Sequence, residues 1–168
     1  MNATKNKPDG VTLKITSSAE YVSPLGEAIN ALCLYASGSE SCAQAVQLAV
    51  VEALNNVILH AYNNQADNDI IVQWHQENRQ LRIEIIDYGL SISSLPAATL
   101  PAFDAESGRG WWIINSCVDE YYYKVVECIE RERVYKPEMD SEYSEGKMIK
   151  SHRNILTLIK HFENSPIT

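Results

Sequence analysis

The spacing of hydrophobic positions changes several times along the chain. Val11, Leu13 and Ile15 alternate with polar residues, which predicts a half-buried strand. Two blocks with apolar residues at helical spacing follow, and Gly38 separates them. Further alternating segments come later, with one more helical block among them. The predicted strands are 11–16, 70–74, 81–87, 121–128 and 154–161, and the predicted helices are about 17–38, 39–62 and 110–119.

The order of these elements, β-α-α-β-β-loop-α-β-β, predicts an α+β sandwich. The short polar link between the strands at 70–74 and 81–87 indicates an antiparallel hairpin. A stretch rich in Ser, Pro, Ala and Gly at 88–108 is typical of a long, mobile loop. The charged segment at about 130–150 predicts an extended hairpin or a solvated insert.

Composition narrows the class of protein. The chain has 168 residues, of which 45% are hydrophobic, so we expect a single domain over 1–168 with a polar tail at 1–10. A net charge of −8 argues against nucleic acid and against an anionic membrane surface as partners. No signal segment or membrane-length apolar run is evident, so we expect a cytoplasmic protein. The four cysteines contain no C-x-x-C pair, and core filling is their expected role.

Glu52, Asn56 and His60 lie four residues apart in the predicted second helix, which places them on one side of it. Alanines lie beside them, and most of the remaining circumference is apolar. A solvated stripe on an amphipathic helix would carry the same residue types, but apolar flanks favour the wall of a polar cavity. Zinc fits this stripe poorly, because the central residue is a weak ligand.

Two further segments carry candidate binding residues. Asp87 continues the apolar face of its strand, so its carboxylate is predicted on the buried side, where it needs hydrogen-bond donors. Gly89 follows at a spacing that is also common in ordinary turns. Gly108 and Gly110 flank Arg109 at a helix start, where backbone N–H groups favour phosphate, although a flexible connector would carry the same glycines. The chain has neither a P-loop nor a Rossmann glycine motif.

Taken together, these segments resemble the Bergerat-fold ATPases of the GHKL superfamily. The resemblance covers about 11–125 and 154–160, and it rests on three boxes: 52–62 (EALNNVILHAY) is similar to the N box, 87–89 (DYG) to the G1 box and 108–110 (GRG) to the G2 box. The short chain and the phrase SGRGWWII look most like the anti-sigma factor serine kinases. The resemblance implies a two-layer sandwich in which helices cover one face of a mixed, mostly antiparallel sheet.

The same resemblance implies a site for ATP and Mg2+. Glu52 would be the general base that activates a serine of another protein, Asn56 would ligate Mg2+, and Asp87 would accept from the adenine amino group. His60 would shape the site near the phosphates. The residues implied to line the nucleotide and its lid are Gly89, Gly108, Arg109 and Gly110.

The chain departs from the family's pattern at several positions. Ser91 replaces the second glycine of the G1 box, and Glu106 stands where some relatives have an arginine. Arg109 is therefore the expected source of catalytic positive charge. Trp111 and Trp112 replace smaller apolar residues.

The function implied by the resemblance is an ATP-dependent serine/threonine-protein kinase of the anti-sigma-factor type. Such a protein binds a sigma factor and phosphorylates an antagonist protein. The alternative is a non-catalytic nucleotide-binding module that sequesters a protein partner, and Glu52 favours the kinase because a binding module needs no base. A stand-alone ATP hydrolase is disfavoured, since no second domain is evident. Relatives often pair through the first strand and helix, which implies a homodimer.

Overall fold

The computed structural model describes residues 10–97, 99, 102, 108–134 and 144–163, with the backbone alone at 128–134 and 144–150. The helices are α1 (Val22–Ser37), α2 (Glu40–Asn56) and α3 (Arg109–Cys117). The strands are β1 (Gly10–Thr16), β2 (Asp69–Glu77), β3 (Gln80–Asp87), β4 (Glu120–Val134) and β5 (Ser144–His161). The expected order of elements and the α+β class are both confirmed.

The five strands form one sheet in the order β1-β2-β3-β5-β4. All four pairings among the described residues are antiparallel, so the sheet lacks the parallel pair that a mixed sheet would contain. The predicted hairpin is confirmed, with Val72 opposite Ile85. The non-consecutive neighbours β3 and β5 place Asp87 directly opposite Asn154.

The last two strands form a long hairpin. They remain paired from Glu120 opposite Ile159 to Val134 opposite Ser144, well beyond the part of β5 that also pairs with β3. The described residues of the segment at about 130–150, predicted as an extended hairpin or a solvated insert, belong to these two paired strands. Residues 135–143 lie outside the described residues, as do 1–9 of the polar tail predicted at 1–10, whose last residue, Gly10, begins β1.

The first helix begins differently from the sequence prediction. A capping box would have used Ser17, but its hydroxyl donates to the Gln65 carbonyl at 2.6 Å and accepts from the Asn68 N–H at 3.1 Å. Ser17 thus joins the end of β1 to the turn before β2, and a short 3-10 turn leads into α1. Gly38 ends the helix as expected, in the left-handed conformation (φ 65°).

The second helix does not keep α-helical geometry to its end. The α-helix stops at Asn56, and one π-helical turn, Val57–Ala61, follows, in which the Tyr62 N–H donates to the Val57 carbonyl at 3.0 Å. The expectation of a continuous α-helix to Tyr62 is therefore wrong at its last turn. Such π turns are rare, and they concentrate at functional sites.

The helices and one face of the sheet enclose the core. Alternate residues of β3, namely Leu81, Ile83 and Ile85, have no exposed surface. Residues of comparable burial on the other elements are Ile29, Leu54, Ile70, Ile114 and Leu158. This distribution is that of two layers packed through apolar side chains.

The cysteines whose side chains are described serve packing, as expected. Cys33 and Cys42 are buried free thiols, and Cys117 is half-buried against the core. Burial raises the pKa of the Cys33 thiol to about 12, which keeps it protonated and unreactive at neutral pH.

One helical segment, Glu40–Ala61, is long and apolar enough to pass a length-and-composition test for a membrane span. This finding differs from the expectation that the chain contains no apolar run of membrane length. Half of the relevant window is buried inside the protein. Because core helices of soluble proteins pass the same test, packing against α1 and α3 accounts for its composition.

Candidate functional site

A cavity of about 670 Å³ lies where α2, β3, the start of α3 and the last two strands meet. Its volume is within the range of small-molecule sites. Four predicted site residues line it: Asn56, His60, Asp87 and Gly108. The other lining residues are Ala53, Val57, Ala61, Leu90, Ile92, Pro96, Ala97, Thr99, Trp111, Tyr123 and Leu156.

Asp87 is the buried carboxylate of the cavity, with only 4% of its surface exposed. Its Oδ1 accepts from the Gly89 N–H at 2.9 Å and from Nδ2 of Asn154 at 2.8 Å. Burial raises the pKa of Asp87, while these two donors and the nearby His152 oppose the rise. Within the described part of the chain, both hydrogen bonds end on Oδ1, so Oδ2 can accept from a ligand.

The backbone after Asp87 packs tightly against the end of the second helix. A methyl group at Gly89 would collide with the carbonyl group of Ala61, so no larger residue fits there without movement. The next residue, Leu90, donates its N–H to the same Ala61 carbonyl at 2.9 Å. The π turn and the predicted G1 segment are therefore joined directly.

Glu52, Asn56 and Gly110 form a second polar cluster, between α2 and α3. A methyl group at Gly110 would lie 3.2 Å from Oε2 of Glu52 and 3.3 Å from Oδ1 of Asn56. Only a glycine leaves these two side chains unobstructed. Nδ2 of Asn56 is buried and has no hydrogen-bond partner among the described residues. An orphaned amide at a cavity wall fits a site whose remaining partner is a ligand.

The start of α3 faces the cavity through Gly108. This residue has a φ of 92°, a conformation that favours glycine, and it caps the helix without a side-chain hydrogen bond. The N–H groups of the first turn and the positive end of the helix dipole suit an anionic group here. Arg109 is exposed and is not a lining residue of the cavity. Glu106 and Ser107 lie outside the described residues.

His60 lines the cavity from the π turn, and its side chain is largely exposed. The structure therefore brings it to the site, although not by the α-helical spacing used in the prediction. Glu52, Gly89 and Gly110 are not among the residues that line the cavity, although Glu52 lies beside Gly110 together with the lining residue Asn56.

Three residues at the cavity were not predicted from the sequence: Asn154, Tyr123 and Trp111. Asn154 is fully buried and bonds to Asp87, while Trp111 and Tyr123 line the cavity. A signal for Asn154 was present, since it alternates with Leu156 on the apolar face of its strand just as Asp87 does on β3. Trp111 is distinctive in the sequence only as a departure from the family pattern.

No group of three or more His, Cys, Asp or Glu side chains in the described part of the chain could hold a metal. A cation here would need oxygen ligands from elsewhere. Mg2+ meets this condition, because it commonly takes one or two protein oxygens and completes its shell with phosphates and water. The amide oxygen of Asn56 is an oxygen of the kind that Mg2+ takes, and the carboxylate of Glu52 lies near the same Gly110.

Residues 15–129 match the histidine kinase-like ATPase domain family. The match spans more than half of the chain and includes the three cavity-lining segments around Asn56, Asp87 and Gly108. The chain belongs to the histidine kinase-like ATPase family. This confirms the resemblance inferred from the three boxes.

Curated relatives of this family are similar over a shorter stretch. Serine-protein kinase RsbW of Listeria innocua is 29% identical over 83 residues, which cover 49% of this chain and 53% of that protein. The anti-sigma F factor of Clostridium acetobutylicum is 32% identical over 79 residues, or 44% of this chain and 54% of its own length. An anti-sigma F factor of Clostridium beijerinckii is 30% identical over 79 residues, or 44% and 55%. The chain thus spans about half the length of the curated relatives it matches.

Proposed function

We propose that this protein is an ATP-dependent serine/threonine-protein kinase of the anti-sigma-factor type. One observation carries the proposal: segments far apart in the sequence, around Asn56, Asp87 and Gly108, meet at one cavity of nucleotide size. The names of the relatives, a serine-protein kinase and anti-sigma F factors, support the class of reaction.

The polar groups of the cavity match the parts of ATP. Oδ2 of Asp87 is an acceptor that suits the exocyclic amino group of adenine, and apolar residues such as Leu90 and Leu156 suit the faces of the base. The N-terminal turn of α3 suits the phosphates. Asn56 would hold Mg2+, which supplies positive charge at the phosphates when bound. His60 would shape the same region, and Arg109 would add positive charge to it.

Glu52 has the position of a general base. In the proposed reaction, a serine or threonine hydroxyl of the antagonist loses its proton to Glu52 as its oxygen bonds to the γ-phosphorus. The bond between the γ-phosphorus and the bridging oxygen breaks, and ADP leaves with the electron pair. Gly110 leaves the carboxylate open to an approaching hydroxyl, because any side chain there would press against Oε2.

The proposed partners are proteins. By analogy with the anti-sigma F factors, the protein would hold a sigma factor in the cytoplasm and release it to an antagonist that becomes phosphorylated. A homodimer formed through β1 and α1 is part of this proposal. Neither nucleic acid nor a membrane is expected as a partner, since the chain carries a net charge of −8.

The direct test is phosphate transfer from radiolabelled ATP, with Mg2+, to a candidate antagonist encoded nearby. Wild type should label the antagonist, while Glu52→Gln should bind ATP and sigma factor normally and lose transfer by about 100-fold to 10,000-fold. Glu40→Gln is the matched control, because Glu40 is an exposed residue of the same helix. Transfer by Glu52→Gln at the wild-type rate would remove this residue from the mechanism. If wild type binds ATP but labels no antagonist, the protein is the non-catalytic binding module instead.

A further inference from the structure

Three of the five residues after Asp87, namely Gly89, Ser91 and Ile92, are held to the last two strands by side-chain contacts that no part of the proposed chemistry uses. The Gly89 carbonyl accepts from Nδ2 of Asn154 at 3.1 Å and contacts Nε2 of His152 at 2.8 Å. Ser91 donates its hydroxyl to Oδ1 of Asn154 at 2.6 Å. The Ile92 N–H donates to the Tyr123 hydroxyl at 3.2 Å.

Asn154 is the centre of this arrangement, and its amide orientation is fixed by chemistry. Its nitrogen faces two acceptors, the Asp87 carboxylate and the Gly89 carbonyl, while its oxygen faces the hydroxyl of Ser91. The reverse orientation would place the amide oxygen against both acceptors. Since the side chain is fully buried, water cannot compensate for such a mismatch.

The fixed amide of Asn154 determines which carboxylate oxygen of Asp87 is available to a ligand in the cavity. Oδ1 is occupied by two N–H donors, which stabilise the ionised carboxylate and hold its plane. Oδ2 then faces a ligand purely as an acceptor. An acceptor pairs with the 6-amino group of adenine, whereas the 6-oxo group of hypoxanthine or guanine would meet it oxygen to oxygen.

We propose that Ser91 and Asn154 are positioning residues that make the site selective for 6-aminopurine nucleotides. Ser91 acts through Asn154, and Asn154 acts on Asp87. Ser91, which replaces a glycine of the family pattern, supplies a hydrogen-bond donor to the buried Asn154 oxygen. A glycine at 91 would leave that oxygen without its donor. The proposal rests on the proposed function only in that a purine nucleotide occupies the cavity.

The test compares the dissociation constants of ATP and ITP, which differ only at and around the 6-position of the base. Asn154→Val and Asn154→Thr have nearly the same shape, but only threonine keeps a donor for Asp87. We expect valine to reduce the ATP preference about tenfold and threonine to preserve it within about threefold. Thermal unfolding of both variants establishes that the comparison is between folded proteins.

A second pair of variants tests the role of Ser91, which is exposed and therefore a safe site for substitution. Ser91→Ala should reduce the ATP preference about threefold, while Ser91→Thr retains the hydroxyl and should preserve it. If Ser91 acts through Asn154, adding Ser91→Ala to Asn154→Val should change the preference by less than about twofold. A purely structural role would not produce this coupling in nucleotide selectivity.

The outcomes separate the two proposals. If Asn154→Val and Ser91→Ala both bind ATP with the wild-type preference over ITP, the positioning role is wrong and the nucleotide site stands. If the two substitutions change the preference for ATP over ITP independently and additively, Ser91 does not act through Asn154. If wild type binds neither nucleotide, the proposed function fails, and the selectivity proposal fails with it.

Discussion

Asp87→Asn should raise the free energy of unfolding and lower the affinity for ATP. The asparagine oxygen can keep both donors now bound to Oδ1, so the internal hydrogen bonds survive. At the position of Oδ2, however, an acceptor becomes an N–H donor that faces the adenine amino group. An unmatched buried polar group costs about 1–3 kcal/mol, which is about a 5-fold to 150-fold loss of ATP affinity. ITP and GTP should bind wild type more weakly than ATP does. Asp87→Asn should reduce their affinities much less than it reduces the affinity for ATP.

The gain in stability follows from the raised pKa of Asp87. Because burial raises this pKa in the folded protein, the native state holds a proton more tightly than the unfolded state. The free energy of unfolding therefore falls as pH rises from the ordinary carboxylate range through the folded pKa, and the loss persists at neutral pH. Asparagine carries no such penalty, and each kcal/mol regained would raise Tm by about 2–4 °C.

The assay is calorimetric titration with ATP together with urea unfolding from pH 4 to pH 8. The stability difference between variant and wild type should grow with pH and then level off. The titratable groups that face Asp87 are His152 of β5, Tyr123 of β4 and Tyr62 after the π turn. All three are present in both proteins, so the comparison of variant with wild type isolates the carboxylate of Asp87. A pH-independent difference, or unchanged ATP affinity, would refute the reasoning.

Two further substitutions probe the cluster between α2 and α3. Asn56→Ala should weaken ATP binding chiefly when Mg2+ is present, and equal calorimetric affinities of variant and wild type in magnesium buffer would contradict the ligand role. Gly110→Ala should slow phosphate transfer by crowding Glu52, and the close contact of the new methyl group with Oε2 should offset the gain in helix propensity of about 1 kcal/mol. Asn115→Ala, at an exposed position of the same helix, is its control, since it raises helix propensity without that contact and should leave transfer unchanged.

The hairpin and the buried carboxylate could be predicted because both depend on short-range alternation. Side chains of a strand point to opposite faces with period two, so Leu81, Ile83 and Ile85 define the core face and Asp87 falls on it. The partner strand is adjacent in sequence, and a short link restricts its register. Burial of Asp87 therefore followed from the local pattern.

The π turn could not be predicted from periodicity. A wheel drawn at α-helical spacing places Glu52 and Asn56 correctly, since both lie within α2, but it fails at the next turn, which holds His60. What the altered turn provides is non-local: the Ala61 carbonyl accepts the N–H of Leu90 from the segment after β3. Because this helix end depends on a distant backbone group, the local spacing of its hydrophobic residues does not reveal it.

The role of Asn154 also depended on a long-range contact. Its place on an apolar face is visible in the sequence, but its partner is set by the pairing of β3 with β5, which are separated by a loop, a helix and a strand. Non-consecutive strands have no short turn to fix their register. The pair Asp87 and Asn154 therefore emerges only from the folded sheet.

Hydrogen-bond completeness separates the two kinds of polar residue at this cavity. Asn154 uses its amide nitrogen and its oxygen within the protein, so it suits a group that holds others in place. Asp87 and Asn56 each retain unused hydrogen-bonding capacity, and both line the cavity. An unpaired buried atom alone is not sufficient, because Nε1 of Trp74 and Oγ1 of Thr157 are also unpaired within the described residues and line no part of it. It is the coincidence of unused capacity with an adjoining cavity that supports the proposed ligand-binding roles of Asp87 and Asn56.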